Sequence, residues 1–240
     1  MNLLVGTSGY SYPAWKGAFY PAKLPAKQFL RFYGTQFPSV EINSTFRAPP
    51  KESVLAEWAG EVPEHFRFVL KAPQRVTHIK RLKDAGEPVA AFLAAARTLG
   101  EKLGPVLFQL PPNMKKDAER LAAFLALIPD GIRAAFEFRH PSWFEGDVLA
   151  LLRDHGAALC AAEADDELEV PFEATAGWGY VRLRRAEYTD SELAAWAARV
   201  RKQKWRETFV FFKHEDEGKG PRFAARLREL AEPQRVRKSA

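Results

Sequence analysis

Short apolar runs alternate along the chain with longer stretches of helical period, and this alternation restricts the fold more than any other feature. The runs are β-branched or aromatic: Leu3–Thr7, Val40–Ser44, Phe66–Lys71, Val106–Leu110, Arg133–Arg139, a weaker Ala158–Ala162, Gly179–Arg184 and Thr208–Lys213. Between them lie helical patterns at Lys27–Gln36, Lys51–Trp58, Pro88–Leu103, Ala118–Ile128, Asp147–His155, Asp190–Gln203 and Pro221–Leu230. Pro88 suits a first helical turn and Asp190 an N-cap. The stretch from Asp165 to Gly177 shows no helical period. Eight strands separated by helices within 240 residues predict an α/β protein, a TIM (β/α)8 barrel with an irregular sixth connection. A doubly wound open sheet is the second choice, but Gly6-Thr7-Ser8-Gly9 lacks the spacing of a dinucleotide or P-loop motif. No linker interrupts the pattern, so one barrel domain is expected over residues 1–232, with a basic, frayed tail over 233–240.

Composition narrows the function class. Hydrophobic residues make up 47% of the chain, enough for a sizeable core, and no apolar run reaches the length of a membrane helix. Met1 to Gly9 has no basic segment followed by an apolar stretch, so no signal peptide is expected. Cys160 is the single cysteine, which excludes an internal disulfide framework. A cytoplasmic protein with no membrane partner is the expectation. The formal charge is +6, but Arg235, Arg237 and Lys238 place half of that excess in the tail. Such a balance permits nucleic-acid contact without requiring it.

Strand parity says where the polar residues point, because alternate side chains face opposite sides of a strand. Val40 and Ile42 suit the helix-facing layer, which turns Glu41 and Asn43 inward. The same argument sends Lys71, Gln109, Glu137, Arg139, Tyr180, Arg182 and Arg184 toward the barrel axis; the eighth strand is ambiguous up to Lys213 and His214. Barrel interiors are ordinarily filled by branched apolar side chains. An unpaired charge there costs several kcal/mol, so this set requires partners, water or a ligand. Its members sit toward the carboxyl ends of their strands, where barrel active sites form. A self-satisfied ionic network is the plain alternative. Cations outnumber Glu41 and Glu137, which points to a phosphate- or carboxylate-bearing ligand gripped by Lys71, Arg139 and Arg182.

Other positions widen the candidate site. Ser8 ends the first strand, and Tyr10 opens an aromatic loop, Gly9–Ala26, that reads as a packed lid or a stacking wall. His78 lies in the basic loop Arg75–Lys83, and His140 follows Arg139. With Glu41, Glu137 and Glu163 these histidines are metal-ligand types, but no His-x-x-x-His spacing joins them, so no metal ligand is assigned. Cys160 reads as a small core residue.

Several of these residues carry a family resemblance. Gly6-Thr7-Ser8-Gly9-Tyr10, with Trp15-Lys16-Gly17 and Phe19-Tyr20-Pro21, resembles the N-terminal signature of the YecE-like family, domain of unknown function 72. Val40-Glu41-Ile42-Asn43-Ser44-Thr45-Phe46, Lys71-Ala72-Pro73 with Thr77-His78, Gln109-Leu110-Pro111-Pro112, Phe136 to Trp143 and Tyr180-Val181-Arg182-Leu183 are similar to its other motifs. The resemblance covers essentially the whole chain and implies a TIM barrel; it implies no reaction and no cofactor. This sequence departs from the family pattern at Arg47, Arg184-Arg185, Lys213-His214 and Phe223-Ala224, which makes the C-terminal third of the site more basic. Glu163 or Asp165 is expected in place of a sixth-strand Asp.

Three functions follow. The first is an enzyme holding a small anion with Lys71, Arg139 and Arg182, aided by Asn43, Gln109, Ser8, Tyr10 and His78. In it Glu137 or Glu41 is the general base and His140 a proton carrier. The second is a barrel that binds nucleic acid or processes phosphodiesters, with Arg75–Lys83 and Arg182–Arg185 on the backbone. The third is a non-catalytic ligand sensor.

Overall fold

Each apolar run becomes a strand: β1 (Asn2–Thr7), β2 (Ser39–Ile42), β3 (Arg67–Lys71), β4 (Leu103–Gln109), β5 (Ala134–Glu137), β6 (Ala158–Glu163), β7 (Gly179–Leu183) and β8 (Glu207–Phe212). The computed structural model describes residues 1–166 and 168–231. All eight strands are parallel, in the order β1-β8-β7-β6-β5-β4-β3-β2. Helices α1 (Phe29–Gln36), α2 (Glu52–Glu61), α3 (Gly86–Ala96), α4 (Ala118–Leu125), α5 (Gly146–Asp154), α6 (Asp190–Arg201) and α7 (Lys219–Ala231) fill the other connections. No described residue between β6 and β7 is helical, as the missing period predicted. The fold is a TIM-like (β/α) barrel. The expected boundary at 232 and the tail over 233–240 lie outside the described residues.

The barrel is nearly closed, and its last seam is unusual. Between β1 and β2 the ladder reduces to one bridge, Ser8 to Glu41, with Gly9 N–H donating to the Glu41 carbonyl at 2.7 Å. Below that bridge the Tyr33 hydroxyl from α1 is inserted between the strands. It accepts from Thr7 N–H at 2.8 Å and donates to the Ser39 carbonyl at 3.0 Å, standing in for a ladder bond. A Cβ on Gly6 would lie 2.0 Å from the Ser39 carbonyl oxygen, so only glycine allows the two strands to approach this closely.

Parity sorts the core into two shells. Val5, Val40, Ile42, Phe68, Phe108, Phe136, Val181 and Phe212 pack against the helices. Leu4, Val69, Leu107, Ala135, Cys160, Tyr180, Phe209 and Phe211 fill the interior. The ambiguous β8 therefore points Phe209 and Phe211 inward. At the amino ends of the strands, Arg133 spans the rings of Trp178 and Phe209 at 5.6 and 5.1 Å and pairs with Glu207. The lower barrel is apolar and plugged. The buried charge cluster lies at the opposite end.

Local chemistry corrects some boundaries. The helix expected over Pro88–Leu103 stops at Ala96; a 3-10 turn, Arg97–Lys102, follows, broken where Gly100 takes φ of +54°, and β4 starts at Leu103. The N-cap of α6 is Thr189 rather than Asp190, because a capping box joins the Thr189 hydroxyl and Glu192. The aromatic loop after β1 is largely packing, with Tyr10 and Tyr12 left half-exposed. Trp15 and Tyr20 are buried, and Tyr20 stacks on Phe29 with ring centroids 4.1 Å apart. No helix among the described residues is long and apolar enough to cross a membrane.

Candidate functional site

At the carboxyl ends of the strands, inward parity brings Glu41 from β2, Glu137 from β5 and Arg182 from β7 into one buried cluster. Both carboxylates are fully buried, and Arg182 is 2% exposed. Arg182 bridges them: Nη2 donates to Glu41 Oε1 at 2.8 Å and Nη1 to Glu137 Oε2 at 2.5 Å. Glu41 also accepts from Ser8 Oγ at 2.7 Å and Tyr180 Oη at 2.5 Å. Glu137 Oε1 accepts from Gln109 Nε2 at 2.9 Å and Arg139 Nε at 2.8 Å, and Arg184 Nη2 lies 3.6 Å away. Every carboxylate oxygen is thus engaged. Burial alone would raise the Glu137 pKa, but Arg182, Arg139 and Arg184 outweigh it and hold the carboxyl well below the usual range. Burial, then Glu41, pushes the Tyr180 phenol well up, so it remains a donor.

Above this cluster opens a cavity of about 560 Å³, in the size range of small-molecule sites. Its walls include Tyr12, Asn43, Phe46, Arg47, Lys71, Gln109, Arg139, Arg182, Arg184, Lys213 and Glu215. Six cations therefore face one wall carboxylate, with two more carboxylates beneath the floor. Lys71 Nζ donates to Gln109 Oε1 at 2.8 Å and sits 4.1 Å from the centroid of the Phe46 ring. The Thr45 hydroxyl, donating to the Lys71 carbonyl at 2.7 Å, ties the 3-10 turn Ser44–Phe46 to β3 and sets Phe46 against Lys71. Burial, then the Arg182 charge, lowers the Lys71 pKa from 10.5 to about 8. Arg182 Nε, Arg184 Nε and Asn43 Oδ1 are buried without a hydrogen-bond partner among the described residues.

The structure brings Asn43, Lys71, Gln109, Arg139 and Arg182 together on this cavity, with Glu41 and Glu137 beneath it. The other sequence candidates do not line it. Ser8 lies behind Glu41, buried and bonded to it. Tyr10 lines a different cavity, with Lys27, Arg31, Glu57 and Glu61. His140 is turned away: its Nδ1 accepts from Ser142 N–H and caps the 3-10 turn Pro141–Trp143. His78 stands behind the wall, edge-on to Phe46 with ring centroids 4.8 Å apart, and burial with the Lys71 charge lowers its pKa. Glu163 points outward to Trp196 Nε1, and Asp165 accepts from Ala186 N–H, so neither enters the site. Cys160 is interior, and burial raises its thiol pKa. Among the described residues no three His, Cys, Asp or Glu side chains are grouped to hold a metal. The sequence reading gave no role to Phe46 or Glu215. Arg184 shares the parity of Arg182, and that was the available signal.

Comparison with known proteins places the chain in a family. A family model described as "Protein of unknown function DUF72" matches residues 4–240. The chain belongs to the DUF72 family. It is 29% identical over 143 residues to the UPF0759 protein YecE of Escherichia coli, covering 59% of this chain and 50% of that protein. It is 32% identical over 135 residues to the UPF0759 protein YunF of Bacillus subtilis, covering 53% and 48%. The chain thus matches about half the length of these curated relatives. Among solved structures, a DUF72 protein from Thermotoga maritima superposes with a TM-score of 0.86 at 28% identity, covering 97% of this chain and 100% of that one. A DUF72 protein from Enterococcus faecalis gives 0.80 at 20% identity, covering 98% and 99%, and shares the fold. Three positions where this sequence departs from the expected DUF72 pattern, Arg47, Arg184 and Lys213, stand on the cavity wall. His214 does not; its Nε2 bonds to the Arg185 carbonyl and its ring packs on Phe223.

Proposed function

We propose that the barrel mouth binds a small anion bearing a phosphate or carboxylate group and acts on it as an enzyme. The observation that carries this reading is the charge imbalance of the cavity. Arg182 is committed to two carboxylates, yet Arg139, Arg184 and Lys71 converge beside it with Glu137 as their nearest counter-charge. Converging cations repel one another, and a bound anion relieves that repulsion. The guanidinium edges of Arg139 and Arg184 suit bidentate oxygen pairs. Glu137 is a poor general base, since its acceptor positions are filled and its affinity for a proton is depressed. Its role, with Glu41, is to hold Arg182 in place. Nucleic acid is the weaker partner, because Trp15 and Tyr20 are buried and, of the rings in the loop after β1, Tyr12 alone lines this cavity.

Calorimetric titration tests the reading. Phosphate and a short carboxylate are titrated into the full chain and into Arg184→Ala, at low and high salt, with an oligonucleotide as a separate arm. The expected result is binding by at least one small anion, weakened tenfold or more by the substitution and by added salt. No heat from any small anion, or binding by the oligonucleotide alone, overturns it.

A further inference from the structure

Lys71 differs from the arginines around it. Arg182 touches Glu41 and Glu137, and Arg139 and Arg184 face Glu137. Lys71 is half-buried and makes no ion pair among the described residues; its Nζ donates to the neutral amide oxygen of Gln109 and rests on the Phe46 ring. Its amine can therefore lose a proton without stranding a counter-charge. The groups acting on it are Arg182 from β7, Glu41 from β2, and Glu137 and Arg139 from the end of β5; burial leads, and the balance lowers its pKa to about 8. At neutral pH an appreciable fraction of the amine is uncharged, the condition for a lysine nucleophile. No other lysine lies on the same wall except Lys213, which is exposed at the rim.

We propose that Lys71 is a nucleophilic amine that forms a Schiff base with an anionic aldehyde or ketone, whose phosphate or carboxylate is held by Arg139 and Arg184. This rests on the anion-binding reading above and names the substrate class. The Nζ lone pair adds to the carbonyl carbon, and the carbonyl π pair moves to oxygen, which takes up the proton released by nitrogen. The carbinolamine hydroxyl then accepts a proton from solvent and leaves as water, and the nitrogen lone pair closes the iminium. Amine, carbonyl and one proton give iminium and water. The positive iminium remains beside the Glu137–Arg182–Glu41 network, while the anionic handle stays on the arginines.

Reductive trapping tests this. The full chain is incubated with borohydride and, in separate arms, with pyruvate, glyoxylate and dihydroxyacetone phosphate, and adducts are located by peptide mass mapping. Phosphate titration is run on the same preparation. The expected result is one adduct per chain, on Lys71, in at least one arm, absent in Lys71→Arg. The carboxylate and phosphate arms distinguish the two handles. Phosphate binding without an adduct in any arm overturns the Schiff base and leaves the anion site standing. Adducts spread over surface lysines, with Lys71 labelled no faster, overturn it equally. Absence of anion binding overturns both readings.

Discussion

At the scale of single residues, the site depends on keeping Arg182 charged where water is excluded. Removing a guanidinium from water costs several kcal/mol, and Glu41 and Glu137 offset this only because Ser8, Tyr180, Gln109 and Arg139 occupy their other acceptor positions. Glu137→Gln should therefore destabilise the protein by about 3 kcal/mol, the scale for breaking one arm of a buried ion pair. Urea unfolding followed by circular dichroism measures it; wild-type stability in the variant would show that the network is not needed. The pH dependence has a definite sign. Glu137 has a lower pKa when folded than its ordinary 4.5, so the stability it adds is present above that pH and fades as pH falls below it. The gap between wild type and variant should shrink on acidification. These residues were legible in the sequence because a strand period of two fixes direction. Tyr10, His78 and His140 lie in loops, where parity does not apply, and the structure sets them off the cavity; Ser8 lies beneath it on Glu41.

At the scale of elements, the sequence specified existence and order but not ends or seams. Helix α3 ends seven residues short of the pattern, where the chain tightens into a 3-10 segment that Gly100 then breaks, a conformational choice that hydrophobic period does not report. Tyr33 read as part of the apolar face of α1, and its ring is indeed buried. Its hydroxyl joins two strands distant in sequence, which no local pattern encodes. Tyr33→Phe should cost about 1–3 kcal/mol, since Thr7 N–H and the Ser39 carbonyl would be left without their shared partner. Amide hydrogen exchange should locate the loss, with Thr7 exchanging faster while amides of the β4–β5 ladder are little changed. Uniform protection, or faster exchange spread evenly over all strands, would contradict a seam held by this hydroxyl.

At the scale of the molecule, the barrel divides along its axis. Leu4, Leu107, Phe209 and Phe211 pack the lower interior as a TIM barrel requires, and the charged upper interior departs from that rule. The departure coincides with the open end, where carboxyl ends of parallel strands bring distant stretches of sequence within hydrogen-bond reach. A core built for stability alone gains little from a cluster of arginines and one lysine on an open cavity. The account therefore stands on that cavity accepting a tetrahedral or planar oxyanion. The most direct measurement is anomalous diffraction from crystals grown with selenate. The expected result is a selenium peak placing selenate oxygens within hydrogen-bond distance of Arg139, Arg184 and Lys71, lost in Arg184→Ala. Selenate found only on surface lysines, with the mouth arginines turned out toward solvent, would contradict it.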